Sequence, residues 1–253
     1  MRSSRTAEAL AAAGLLTRIP LGRYLPAPDA VDYAASVWAY PLVGSVVGAA
    51  AAAVYALATG LGMSPVLASV WAVVAGGLMT GALHEDGLAD AADGLGGGRT
   101  MERRLAIMRD SRIGSYGALA LVLAVGMRVA AIAALGEPGL VAGALISSGM
   151  LGRSAMVLVM YRGEPARRDG LAAALGRIGS GPAWAAMGFA AVGSVLLVGF
   201  GNAVMAVVVT GLIALWWGGV GRRAIGGHTG DMLGAVEIMV ECVVLSLLSA
   251  VVG

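Results

Sequence analysis

Charge is what this chain has least of. Its 253 residues hold 15 Asp and Glu and 17 basic residues, every one of them Arg, so charged side chains make up only 13%. A soluble domain carries about a quarter. The net charge is +2 and the arginines are scattered, which leaves no basic stripe for a nucleic acid. The lack of Lys reads as a bias of coding composition, not as chemistry. One cysteine, Cys242, rules out an intramolecular disulfide, and its apolar setting gives a thiol nucleophile nothing to activate it. Arg2 and Arg5, followed by Ala7 to Leu16, have the outline of a signal peptide. No convincing cleavage site follows, so the segment reads as a short amphipathic helix at a membrane interface.

In place of charge the chain has apolar and small residues: 58% hydrophobic, 40 glycines and a mean hydropathy of +0.85. Small residues let membrane helices approach closely. Seven apolar stretches are long enough, or nearly so, to span a bilayer: 35–60, 65–83, 115–135, 139–160, 183–200, 203–220 and 233–252. The expected fold is all-α, a polytopic membrane helix bundle of about seven spans, forming one catalytic domain over 1–253. The segments 1–34, 84–114, 161–182 and 221–232 hold 15 of the 17 arginines, Arg2, Arg23 and Arg168 among them. The loops near 61–64, 136–138 and 201–202 hold none. By the positive-inside rule the N-terminus and the Arg-bearing loops are cytoplasmic, and seven spans put the C-terminus outside. The pair 183–200 and 203–220, divided only by Gly201-Asn202, reads as a tight hairpin or a re-entrant pair. Almost every group able to do chemistry falls on one side, which suits a cytoplasm-facing membrane enzyme better than a receptor or pump.

The densest chemistry is His84-Glu85-Asp86-Gly87-Leu88-Ala89-Asp90-Ala91-Ala92-Asp93-Gly94. On a helix, Asp86, Asp90 and Asp93 share an arc of about 60°. Such carboxylates repel unless a hard cation sits among them, and oxygen-only donors favour Mg²⁺ or Mn²⁺ over zinc. A metal there would grip a phosphate or pyrophosphate. The bland alternative is a solvated helix face. Glu85 lies about 100° off that face. His84 is either a helix-end residue or an acid/base. Gly94 to Gly98 are expected to end the helix in a mobile loop.

A short helix from Thr100 then leads to Arg109-Asp110-Ser111-Arg112, whose Arg forks suit phosphate or lipid headgroups. Arg128 and Arg153 fall inside spans, where each costs about 2.5–3.5 kcal/mol on insertion scales and calls for a carboxylate or an anionic ligand. Gly226-Gly227-His228-Thr229-Gly230-Asp231, after Arg222 and Arg223, makes a glycine-rich loop opening the last span: an anion site, or a turn capped by Thr229 or Asp231. Glu237 and Glu241 lie deeper, and a carboxylate at that depth needs a partner.

Taken in order, these blocks resemble the cobalamin synthase family, adenosylcobinamide-GDP ribazoletransferase. The likeness runs over nearly the whole chain: Leu15-Leu16-Thr17-Arg18-Ile19-Pro20, Tyr40-Pro41-Leu42-Val43-Gly44, His84 to Gly94, Arg104 to Gly114, Gly152-Arg153-Ser154-Ala155-Met156-Val157 and Gly226 to Gly234. His228 stands where an aromatic is frequent in the family, and Met232 where Thr is frequent. The resemblance implies an integral enzyme of the bacterial inner membrane, with its active site facing the cytoplasm. It implies joining of adenosylcobinamide-GDP to α-ribazole or its 5′-phosphate, with release of GMP and a need for Mg²⁺. On that reading Asp86, Asp90, Asp93 and Asp231 hold the metal and pyrophosphate. Asp110 is the base or a further ligand, His84 and Arg112 assist catalysis, and Arg109, Arg153, Arg222, Arg223 and Thr229 bind phosphate. The lipid bilayer is a partner, nucleic acid is not, and homo-oligomerisation is left open. Two other classes compete. A CDP-alcohol phosphotransferase would carry an Arg after its first Asp-Gly and longer acid spacings. A transporter would distribute charge along a path to both faces.

Overall fold

The computed structural model describes residues 4–21, 24, 31–167, 169–170 and 174–252. Arg2, Arg23 and Arg168, counted above among the loop arginines, lie outside the described residues. Among the described residues every regular element is a helix, and strand-like pairing is limited to one isolated bridge between Pro165 and His228.

The chain opens on α1 (Arg5–Leu16), capped by Ser4, whose hydroxyl accepts from the Ala7 N–H. Ala11, Ala12 and Leu16 are buried, and Glu8 accepts from the Trp38 indole at 2.7 Å, which docks α1 on the next element. There α2 (Tyr33–Ser36), a 3-10 turn (Val37–Ala39) and α3 (Tyr40–Gly60) follow end to end. They are succeeded by α4 (Pro65–Thr80), α5 (Leu83–Gly97), α6 (Met101–Ile107), α7 (Ser115–Leu135), α8 (Pro138–Arg162), α9 (Ser180–Val198), α10 (Phe200–Ile225) and α11 (Gly230–Val252).

Six segments are long and apolar enough to cross a membrane: Tyr33–Gly60, α7, α8, α9, α10 and α11. A seventh is reached only by joining α4 to α5 across a 90° bend. The second span therefore departs from the expected 65–83. It stops at Thr80, and its 16 residues reach about 24 Å, short of a roughly 30 Å hydrocarbon core. The bend is made by two successive left-handed residues, Gly81 (φ 67°) and Ala82 (φ 55°). An L-residue pays about 1–2 kcal/mol there. Contacts hold the corner: the Arg18 N–H donates to the Met79 carbonyl at 2.8 Å, and the Arg18 side chain lies over Gly81. Beyond it α5 packs along α7 and α11.

Close packing in the bundle follows its small residues. Gly44 of α3 and Gly149 of α8 face each other so closely that a Cβ on either would meet the other's carbonyl oxygen, and Gly48 rests on the backbone of Leu145. Between α3, α9 and α11, helix α8 is the most deeply buried span.

Three boundaries differ from the sequence reading. The α9–α10 hairpin turns at Gly199 (φ 79°), and Gly201-Asn202 lie inside α10, where the Asn202 amide donates to the Val198 carbonyl at 3.0 Å. Arg222 and Arg223 belong to the last turn of α10, so the following loop is shorter than 221–232. Gly94, Gly96 and Gly97 are helical within α5 because Gly94 packs under Met108 and Gly96 under Tyr116.

Candidate active site

The site is built on a crossing of α5 and α11. A Cβ on Gly87 would stand 3.0 Å from the Asp231 carbonyl oxygen, and Gly234 is equally tight against the backbone of His84. Bare backbone at both positions brings Asp86 of α5 beside Asp231 of α11, and both border one cavity of about 300 Å³. Thr229 fixes the start of α11. Its hydroxyl oxygen accepts from the Met232 N–H at 3.3 Å, and its O–H donates to Asp231 Oδ2 at 3.1 Å. The loop after α8 closes the cavity. Its backbone pairs with that of His228, through His228 N–H to the Glu164 carbonyl (3.0 Å) and Ala166 N–H to the His228 carbonyl (2.8 Å). This sets Arg167 at 3.8 Å from Asp231 Oδ2, while its guanidinium also donates to the Leu105 carbonyl. On the same loop Asp169 accepts both short hydrogen bonds of Arg109, at 2.6 and 2.7 Å.

Acid outweighs base here. Partial burial, then the charges of Asp86, Asp231 and Asp93, lift the Asp90 carboxyl to about 6, against the pull of Arg167. Among the described residues no three His, Cys, Asp or Glu side chains already converge on a common metal position. Four residues that line the cavity each carry a buried polar atom without a hydrogen-bond partner among the described residues: Tyr40 Oη, His84 Nε2, Arg167 Nε and His228 Nδ1. Burial holds His228 below the usual imidazole range, so it faces the cavity uncharged. Such groups ordinarily find a partner.

The structure gathers His84, Asp86, Thr229 and Asp231 at this cavity, with Asp90 close behind and Arg109 joined through Asp169. It sets the other expected residues elsewhere. Asp93, on the edge of the same helical face, turns towards α7 and accepts from the N–H groups of Gly114 (2.7 Å) and Gly117 (2.9 Å), supplying the cap that Gly114 lacks. Asp110 and Arg112 pair with each other in a surface turn, through Nε (3.0 Å) and Nη2 (2.7 Å). The Arg112 hydrogen bonds hold the Asp110 carboxyl down at about 2, which weakens it as a base. Arg222 and Arg223 are exposed and form no ion pair among the described residues.

Arg153 is 1% exposed in the core, its guanidinium against Glu237 and, at 3.1 Å, Glu241. Arg128 bridges Glu241 (3.4 Å) to Glu85 (2.9 Å) on α5. The two intramembrane arginines thus have carboxylates as partners, and the chain tethers the acidic helix to the bundle. Sequence reasoning did not single out Arg167, Asp169 or Tyr40 for the cavity. Arg167 and Asp169 sit in a loop without motif, and Tyr40 stands out only as part of the block Tyr40 to Gly44.

These features define a polytopic membrane protein whose polar chemistry is gathered in one cavity where α5, α11 and the loops after α8 and α10 converge. The chain belongs to the cobalamin-5-phosphate synthase family, whose sequence profile matches residues 8–249. Similar proteins include that of Bradyrhizobium diazoefficiens, 44% identical over 94% of this chain and 92% of its own, and that of Azorhizobium caulinodans, 42% identical over 95% of each. A third, from Mesorhizobium japonicum, is 40% identical over 89% of this chain and 88% of its own. All three are named adenosylcobinamide-GDP ribazoletransferase. No solved structure matches the chain.

Proposed function

We propose that this protein transfers the cobinamide phosphate of adenosylcobinamide-GDP to α-ribazole or its 5′-phosphate, releasing GMP, and that it does so from the cytoplasmic side of the bacterial inner membrane. The observation that carries the reading is the pairing of Asp86 and Asp231 across a glycine crossing, on the wall of a cavity that also holds Arg167. The orientation rests on the Arg-bearing loops sharing the cavity's end of the bundle.

The donor set suits Mg²⁺. It is all oxygen, and Mg²⁺ is usually held by one or two carboxylates with water and substrate phosphates completing its shell. Asp86 and Asp231 would hold it, with Asp90 adding negative charge behind them. When bound, it would neutralise charge building on the pyrophosphate oxygens. The protein's own groups do the rest. Arg167 lies beside Asp231 where a phosphate oxygen would come, and Thr229 orients Asp231. A ribose hydroxyl of α-ribazole attacks the phosphorus that bears cobinamide. A new P–O bond forms, the bond to the bridging oxygen breaks, and GMP leaves with the electron pair. The hydroxyl proton passes to water in the cavity: burial holds the His84 imidazole down at about 3 and Arg112 holds the Asp110 carboxyl at about 2, so neither is a strong base there.

The test is direct. Detergent-purified protein receives adenosylcobinamide-GDP, α-ribazole and Mg²⁺, and GMP and cobalamin are followed by chromatography. Expected are both products in equal amounts, lost with EDTA and lost in Asp86→Asn or Asp231→Asn. Folded wild-type protein that releases no GMP refutes the reading.

A further inference from the structure

The cavity has a second, apolar character that the phosphate chemistry does not use. Helix α8 contributes Met156 and Met160, one turn apart on the same face and each 5% exposed, and α1 contributes Leu16. Tyr40, at the start of α3, is 1% exposed, and its hydroxyl has no hydrogen-bond partner among the described residues. A buried phenol without a partner amid Met and Leu is costly unless a ligand supplies an acceptor.

The reacting molecules differ sharply in what they could offer there. Guanine carries several donors and acceptors around its edge, and a wall of Met and Leu would leave them unpaired. A corrin ring is far larger than about 300 Å³. The base of α-ribazole is a dimethylbenzimidazole: flat, bicyclic and apolar, with one unsubstituted ring nitrogen accepting one hydrogen bond. Thioethers pack well against aromatic rings and adapt to their outline.

We propose that Tyr40, Met156 and Met160 form the seat of the acceptor's base, with the Tyr40 hydroxyl donating to the one free ring nitrogen and the two methionines packing on the bicycle. The assignment rests on the transferase reading above and adds which residues of the cavity hold the nucleoside and what selects its base. Asp86, Asp231 and Arg167, which line the same cavity, then meet the ribose and phosphates. Tyr40 is a specificity residue: it recognises the ring nitrogen and takes no part in bond making.

The experiment compares wild type, Tyr40→Phe and Met160→Ala, full chain in detergent. Acceptors are α-ribazole and its indole analogue, in which CH replaces the free ring nitrogen. Tyr40→Phe is expected to raise KM for α-ribazole about tenfold, the size of one lost hydrogen bond, with KM for adenosylcobinamide-GDP unchanged. It is also expected to lose the wild-type preference for α-ribazole over the indole analogue, which a general loss of fold would leave in place. Met160→Ala is expected to raise KM for α-ribazole more than for a benzimidazole riboside lacking the two methyls. An unchanged preference in Tyr40→Phe, or a KM effect confined to the corrinoid substrate, overturns the assignment. Calorimetric titration of α-ribazole into wild type and Tyr40→Phe separates the two ideas. If wild type turns nothing over, the transferase reading fails, while a tenfold weaker Kd in Tyr40→Phe still supports the seat and an equal Kd overturns it.

Discussion

Gly87 and Gly234 meet backbone to backbone, a Cβ on either standing 3.2 Å from the Cα of the other. This contact sets the spacing of Asp86 and Asp231. Gly87→Val is expected to push α5 away from α11 and reduce kcat/KM by about 100-fold, as an ångström-scale misplacement does. Gly87→Ala should fall between the two, because the neighbours need yield only a few tenths of an ångström. Membrane insertion, read by fractionation, should be unaffected in both.

Asp90 and Asp93 are one turn apart on α5 and should fail differently. Asp90→Asn removes charge beside Asp86 and Asp231, so the Mg²⁺ concentration for half-maximal turnover is expected to rise. Asp93→Ala removes the acceptor for the N–H groups of Gly114 and Gly117. Loss of such a cap costs about 0.5–2 kcal/mol, so the expected signature is a lower Tm at unchanged Mg²⁺ response. Thermal melting and a Mg²⁺ titration on both variants distinguish a cap from a metal-site residue.

Arg153 should act on stability first. Arg153→Met leaves Glu237 and Glu241 buried with less compensation, a loss of about 3–5 kcal/mol. The double change Arg153→Met, Glu237→Leu, which leaves Glu241 to its other partner Arg128, should recover much of it, since replacing a buried ion pair by apolar side chains of similar volume is often tolerated. A normal melting temperature for Arg153→Met alone would contradict this.

Arg222 and Arg223 are exposed on α10 and do not border the cavity. Arg222→Ala and Arg223→Ala are expected to keep kcat/KM within about twofold at 150 mM salt, as surface charges usually do. A larger loss in initial-rate assays would mean that the substrate reaches them.

The spans were legible because hydropathy over twenty residues depends on little else, and the Arg-bearing loops followed from the same pattern. The corner at Gly81-Ala82 was not. Hydropathy continues past Thr80, and a left-handed Ala has no local signature. Asp86 and Asp90 were found by helical spacing, but spacing alone could not show that Asp93, 60° round the same arc from Asp90, meets α7 instead. Nor could it pair Glu85 with Arg128, 43 residues apart. Tyr40 and Arg167 stayed hidden because their role comes from what lies across the cavity. Asp110 and Arg112 looked reactive because the motif is dense in polar groups, and here the two satisfy each other.

The cavity's size also bears on how a corrinoid is handled. A space of about 300 Å³ is the size of one nucleoside and far short of a macrocycle. Most of the larger substrate then remains outside, and the protein works on it by the tether. Recognition of the ring and chemistry on the phosphate are then separable tasks. A corrinoid with an altered ring periphery should still react, provided its arm is long enough to reach between Asp86 and Asp231.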